Sequence, residues 1–309
     1  MSELQAVIDD INTAFQVFTP ETPLSTIRST LDDLFGYDNP TSGCRRESVT
    51  IEQAEAELIT ADGVAAEDGA ILYLHGGGYA VCSIASHRDL AERLSHAAHA
   101  AVLLLGYRLA PENPFPAALD DTLAAYRWLL DRGHEPGSIA IAGDSAGGGL
   151  TLAALLALKQ GAGPLPACGV VFSPWVDLEL QGGTLVSKAD VDPIVHAETL
   201  KQWIACYAPG MDLRDPLLSP LHGDFTGIPP LLVQAGGREA LLDDALRIVA
   251  VARAAGVEVE YQYWDDQIHV FQAFGHRLAD ARVAIDDAGQ FIRGHLARGP
   301  SGAQAAKAV

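Results

Sequence analysis

From Ala70 onward the chain alternates short apolar runs with longer stretches of helical period, and that rhythm constrains the fold more than any other feature. The runs "AILYLH", "AVLLLGY", "SIAIAGD", "GVVFSPW", "PPLLVQAG" and "VEVEYQYW" are strand-sized. Between them lie Arg88 to Ala98, "LDDTLAAYRWLLD", "AGGGLTLAALLALKQ" and "LLDDALRIVAVARAAG", and a closing helix is predicted from about Ala279 to Ala297. Strands that are apolar throughout are buried on both faces, and their alternation with helices calls for parallel pairing with a helical layer on each side. The sequence therefore predicts an α/β fold with a mostly parallel central sheet flanked by helices.

Two stretches break the rhythm. Residues 1–45 and about 180–215 show no strand-helix pairing, and the second ends in the proline-punctuated "RDPLLSP". They are expected to form a helical cap, with its N-terminal part over 1–45, a main domain over 46–309 and a second cap segment at about 180–215. The closing "ARGPSGAQAAKAV" is small and unpatterned and is expected to fray. With 309 residues, 49% of them hydrophobic and 19% charged, the chain can bury one large core that carries a subdomain.

Forty acidic residues against 20 basic ones, a formal charge of -20, argue against a surface that tracks phosphates, so no nucleic-acid partner is expected. Cys44, Cys82, Cys168 and Cys206 are widely separated and form no CxxC pair, which suits reduced thiols in the cytoplasm. The start "MSELQAVIDDINTAF" has neither the basic end nor the apolar stretch of a secretory signal, and the apolar runs are too short to span a membrane. A cytoplasmic protein is the expectation. His96 and His99 are helically spaced and read as surface residues, and without an HExxH pattern no metal site is predicted.

The chemistry starts in "IAIAGDSAGGGL", where four glycines surround one serine. A glycine inside a helix costs roughly 1 kcal/mol relative to alanine, so Gly147, Gly148 and Gly149 at a helix start are locally unfavourable. A sharp strand-to-helix turn that exposes a nucleophilic serine needs tiny residues two before and two after it. Gly143, Ser145 and Gly147 match that G-x-S-x-G pattern in the right context. The Ala146 amide would then face a developing oxyanion from a helix N-terminus. The segment lacks the Lys and Ser/Thr that complete a P-loop.

A second strand ends in His75-Gly76-Gly77-Gly78. Backbone amides converge on an oxyanion only where no side chain intervenes, and Gly76 and Gly77 are the expected donors. A serine also needs a base, and the base an orienting acid. His269 in "DDQIHVFQAF" follows the last predicted strand, where the order serine, acid, histidine would put it. Glu239, Asp243 and Asp244 compete for the acid. Glu239, at the helix start nearest the strand end, is favoured over the two aspartates within the apolar-periodic helix.

Taken together, "HGGGY", "YRLAPENPFPAAL", "GDSAGG", "DPLLSP" and "IHVFQ" closely resemble the bacterial hormone-sensitive-lipase-like esterases, family IV, of the α/β-hydrolase superfamily. The resemblance runs from about Ala70 to about Phe274. It implies Ser145 as nucleophile, His269 as base, Gly76, Gly77 and Ala146 as oxyanion donors, and a supporting loop of His75, Gly78 and Asp144 braced by Glu112. Many members carry aspartate at the acid position. Here Glu239 stands there, one methylene longer, with Asp243 as the alternative.

The resemblance implies cofactor-free hydrolysis of short- to medium-chain carboxylic esters through an acyl-enzyme. Lactone or amide hydrolysis would use the same machinery, and a ligand receptor is the non-enzymatic alternative. Tyr79, Trp203 and Tyr207 are candidate pocket walls. The expected partners are a small-molecule ester and, by resemblance, a second copy of the chain in a homodimer.

Overall fold

In the computed structural model, which describes residues 2–19, 21–39, 43–65 and 68–297, the six apolar runs and one added hairpin pair into an eight-stranded sheet. The strands are β1 (Cys44–Ile51), β2 (Ala54–Ala61), β3 (Ala70–Leu74), β4 (Ala101–Gly106), β5 (Ile139–Asp144), β6 (Cys168–Phe172), β7 (Leu231–Gly236) and β8 (Val259–Trp264). Their spatial order is β1-β2-β4-β3-β5-β6-β7-β8. Only the β1-β2 and β2-β4 pairs are antiparallel. The fraying expected of the C-terminal tail falls, beyond Ala297, outside the described residues.

The strands from β3 onward are those the rhythm predicts. The β1-β2 hairpin is an addition to it. "CRRESVTI" alternates half-buried with exposed positions and carries three charges, so no apolar run marks it. A two-residue turn at Glu52 and Gln53 joins the pair, with Ile51 opposite Ala54.

Helices α1 (Glu3–Phe15) and α2 (Leu24–Phe35) precede the sheet, and α3 (Ile84–Ala98), α4 (Ala117–Asp131) and α5 (Ser145–Gln160) connect its central strands. The interrupting segment holds α6 (Thr184–Ser187) and α7 (Ala197–Tyr207), and α8 (Leu242–Ala254) and α9 (Ala279–His295) complete the chain. Helix α3 starts before the predicted Arg88 because Ser83 caps it, with Ser86 closing the capping box.

Alternate residues of each strand feed opposite layers. Leu72, Leu103, Ile141 and Val233 pack with α4, α5 and α8, whereas Ile71, Val102, Val170 and Phe172 pack with α3 and α9. A third apolar cluster joins Val7, Ile11, Leu31 and Phe35 of α1 and α2 to Val81, Val270 and Phe274. The N-terminal helices are thereby docked on the loops that leave β3 and β8. No described helix is long and apolar enough to cross a membrane.

The hairpin is tied to α3 by charge. The Arg46 Nε donates to Glu92 at 2.6 Å, and the Glu92 side chain is only 2% exposed. Removing one partner of a buried pair leaves a carboxylate without compensation. Arg46→Ala is expected to lower unfolding free energy by about 2–3 kcal/mol, less than for a fully buried pair because Arg46 is partly solvated. Glu92→Gln in that background should restore part of the loss. Urea unfolding of the three variants checks this, and a loss below about 0.5 kcal/mol would show that the pair does not hold the hairpin.

Candidate active site

The chain passes from β5 into α5 through a single residue in the left-handed region, Ser145, with φ of 51°. A non-glycine residue held there costs on the order of 1–3 kcal/mol and persists only where its surroundings dictate it. They do so here by close approach. A Cβ on Gly147 would lie 2.0 Å from the carbonyl oxygen of Leu74, so only glycine lets α5 pass the end of β3. The turn presents the serine hydroxyl at the carboxyl end of the sheet, where ligands of α/β proteins bind.

Three side chains from distant parts of the chain meet at this point. The Ser145 Oγ lies 2.9 Å from His269 Nε2, and His269 Nδ1 lies 2.9 Å from Glu239 Oε2. Glu239 follows β7, His269 follows β8, and both are buried. The second oxygen of Glu239 accepts the amide of Gly236 and, at 3.0 Å, the hydroxyl of Ser173. Ser173 Oγ accepts in turn from the Val270 amide at 3.0 Å, so one hydroxyl ties the acid to the backbone beside the base. A carboxylate with this many donors stays ionised and keeps a proton on Nδ1. Nε2 is then free to accept from Ser145.

Burial works against charge on both members of the pair. For His269, the penalty of burial is outweighed by the hydrogen bond and charge of Glu239, with Asp192 and Asp144 adding to them, so its pKa is raised. Burial also pushes the Glu239 carboxyl up, against the pull of His269 and the Gly236 amide. The ionised carboxylate keeps the imidazole pKa raised, since each of the donors to Glu239 favours its ionised form.

The competing acids are engaged elsewhere. Asp243 accepts the Thr184 amide at 3.1 Å, and Asp244 accepts those of Val176 and Asp177 at 2.9 and 3.0 Å. Burial pushes the Asp244 carboxyl up to about 7.

The glycine loop departs from the sequence expectation at two positions, Gly76, expected as a donor, and Gly78, expected only as support. Gly76 and Gly77 are the expected donors, but the Gly76 amide faces His87 Nε2 at 3.4 Å, and Gly77 and Gly78 are the glycines of this loop that line the cavity. The reason is steric. Gly76 is wedged onto the serine turn, where a Cβ would lie 2.2 Å from Asp144 Oδ2, and the chain swings outward only at Gly77, with φ of +106°. The amides of Gly77 and Gly78 meet no protein acceptor among the described residues. Ala146, as the second residue of α5, has no intrahelical acceptor for its own.

The supporting residues form a layer beneath this loop. His75 Nδ1 donates to the Gly76 carbonyl at 2.7 Å, and its ring stacks on Tyr107 with centroids 4.3 Å apart. Burial, with the neighbouring His87, lowers its pKa to about 4, so it is neutral. Asp144 accepts from Tyr73 at 2.9 Å and lies 3.2 Å from His87 Nε2. Glu112 does not touch the loop but binds Arg28. His87, Ser173 and Arg28 are absent from the sequence reading. Ser173 alone had a visible cue, a serine directly after a buried strand end in "VVFSPW".

A cavity of about 410 Å³ opens over Ser145 and His269. Phe15 and Phe35 from the N-terminal helices, Phe18 from the link between them and Trp203 of α7 form much of its wall. Tyr79 and Tyr207 do not line it. They stack on each other with centroids 3.8 Å apart. Among the described residues Asp177, Glu179 and His222 have metal-ligand spacing, but Arg247 and Arg214 already pair with the two carboxylates at 2.5 and 3.3 Å.

Comparison with known proteins agrees with this geometry. A family model described as alpha/beta hydrolase fold matches residues 71–273. An acetyl-hydrolase of Streptomyces hygroscopicus is 45% identical over 79% of this chain and 81% of its own. The crystal structure of an esterase from the bacterial hormone-sensitive lipase family is 43% identical, covers 96% of this chain and 98% of its own, and superposes with a TM-score of 0.91. EstE5, in a crystal soaked with p-nitrophenyl butyrate, is 39% identical over 95% of this chain and 98% of its own, with a TM-score of 0.89.

The raised pKa of His269 has a direct consequence for Ser145. Only the neutral ring can take its proton, so the rate of Ser145 phosphonylation should fall as pH drops through a midpoint above the ordinary histidine value of 6.5. Glu239→Gln removes the charge that raises the ring and should shift the midpoint downward. A wild-type midpoint at or below 6.5, or a flat profile down through about pH 5, would count against the pair.

Proposed function

The chain belongs to the α/β-hydrolase family, in its hormone-sensitive-lipase-like branch, and hydrolyses carboxylic esters; we propose that its substrates carry short to medium acyl chains and react through an acyl-enzyme on Ser145. The observation that carries this reading is the relay of two 2.9 Å contacts from Glu239 through His269 to Ser145, set beside amides with no protein acceptor among the described residues.

As Ser145 Oγ attacks the acyl carbon, His269 Nε2 takes its proton, and Glu239 balances the positive charge on the ring. The carbonyl oxygen, now anionic, receives the amides of Gly77, Gly78 and Ala146, with the N-terminus of α5 behind the last. Each donor of this kind contributes on the order of 10²- to 10³-fold in rate. Collapse expels the alcohol, to which His269 returns the proton. Water then enters, loses a proton to the same nitrogen and attacks the ester on Ser145, and collapse releases the acid as His269 returns that proton to Ser145 Oγ. No step calls for a cofactor.

The cavity supports the chain-length assignment. At about 410 Å³ it lies near the small end of the roughly 300–1,000 Å³ range of ligand sites. Residues 1–45 and 180–215 supply Phe15, Phe18, Phe35 and Trp203 to its walls, which supports their assignment as a cap. Aromatic walls hold an aliphatic chain by burial, at roughly 0.8 kcal/mol per methylene, until the space is filled.

Turnover of p-nitrophenyl acetate, butyrate and palmitate tests the reading. The two short esters should be hydrolysed fastest. Ser145→Ala should lose about 10⁵-fold or more and Glu239→Ala about 10³- to 10⁴-fold, both with unchanged folding. Palmitate turned over as fast as butyrate would sink the chain-length assignment. Mass spectrometry of the quenched butyrate reaction should find the acyl group on Ser145, and its absence under burst conditions would sink the acyl-enzyme.

A further inference from the structure

One side chain of the N-terminal helices reaches past the apolar seam into the loops around the serine. Arg28 on α2 donates from Nε to the Ala80 carbonyl at 2.8 Å and from Nη2 to the Ala110 carbonyl at 2.9 Å. Its Nη1 and Nη2 also hold the two oxygens of Glu112 at 2.8 and 2.7 Å. A planar guanidinium is suited to this, because its donors lie in a fixed fork and all can be used at once.

Both carbonyls belong to the support of the glycine loop. The amides of Ala80 and Val81 return to the Gly77 carbonyl at 3.0 and 2.9 Å, closing the turn that aims Gly77 and Gly78. The Ala110 amide donates to the Tyr79 carbonyl at 2.9 Å, so the segment around Ala110 backs the same turn. Arg28 thus fixes both layers of the turn from an element that lies outside the sheet. Glu112 is more than half exposed and touches the arrangement through Arg28, whose fork it orients. Its hydrogen bonds to Arg28 hold its carboxyl down at about 2, so the clasp is ionised throughout the range in which a histidine titrates.

We propose that Arg28 is a positioning residue for the oxyanion amides, which makes the alignment of Gly77 and Gly78 depend on the docking of α2. The inference rests on the esterase reading above. Docking itself is secured separately by Val7, Ile11, Leu31 and Phe35, so loss of the arginine should disturb the turn while the helices stay in place. The cost then falls on the transition state, in which the oxyanion exists, and little of it on the bound ester.

The test uses the full chain with p-nitrophenyl butyrate, comparing wild type with Arg28→Ala, Arg28→Lys and Glu112→Gln. Arg28→Ala should lower kcat about 10- to 100-fold with KM within about threefold. Arg28→Lys should recover little of this, since one ammonium cannot serve both carbonyls and the carboxylate. Glu112→Gln, which keeps an acceptor for the fork, should lose less than about fivefold. Millimolar guanidinium should restore part of the kcat of Arg28→Ala and none in wild type.

Affinity for a trifluoromethyl ketone, which forms the oxyanion on Ser145, should fall in parallel with kcat. Affinity for butyrate, the product, should hold. A kcat within twofold of wild type, a loss carried by KM, or equal weakening of ketone and butyrate would overturn the proposal. Wild-type turnover reports on the esterase reading separately. Should the wild type be inert, amide hydrogen exchange over residues 75–82 still decides: faster exchange in Arg28→Ala supports the clasp, and unchanged exchange overturns it.

Discussion

The architecture around the site depends on how closely α5 passes the end of β3. The Leu74 carbonyl occupies the space that a side chain at Gly147 would need, and the turn that brings α5 this close has Ser145 in the left-handed region. Strand pairing carries the constraint sideways, because Leu74 stands opposite Gly143 in the β3-β5 register. The residue after Leu74 begins the glycine loop. The serine and the root of the glycine loop are therefore positioned by one backbone contact and the strand register, while the outer turn of the loop is held by Arg28.

The second constraint is electrostatic. A buried histidine tends to lose its charge and a buried carboxyl tends to gain a proton, so an isolated Glu239 or His269 at this depth would be poorly suited to proton transfer. Together, with Ser173 and Gly236 donating to the carboxylate, they keep a charge that the site can use. The longer reach of glutamate is compatible with this arrangement. Its two oxygens divide the work, Oε2 facing His269 and Oε1 facing Ser173 after β6 and Gly236 at the end of β7.

The sequence reveals the parts of this design that local backbone chemistry demands. Glycines at a helix start, glycines after a strand and a histidine beyond the last strand are improbable unless something needs them, so Ser145, the 75–78 loop and His269 are legible. Strands β3 to β7 are legible because buried parallel strands read as unbroken apolar runs, and the half-exposed edge strand β8 is legible through its Val, Tyr and Trp residues. The β1-β2 hairpin is not, since its residues face solvent on one side and carry charge. Nor is the difference between Gly76 and Gly78 visible: all three glycines are equivalent in sequence, and only the Asp144 carboxylate against Gly76 decides which amides face the cavity. Ser173, His87 and Arg28 are ordinary residues whose partners lie far along the chain, 66, 57 and 84 positions away for Glu239, Asp144 and Glu112.

The N-terminal helices consequently have two relations to the site, and these differ in physical kind. Phe15, Phe18 and Phe35 meet the cavity through apolar contact, which is non-directional and tolerates small displacements of the helices. Arg28 meets the glycine loop through directional bonds to two carbonyls, which do not. A small shift of α2 would therefore leave the cavity walls largely intact while moving the loop that carries the amides. On this reasoning the helices that enclose the substrate also tune the site to the transition state, and the shape of the cavity and the rate of the reaction are separable properties of the same element.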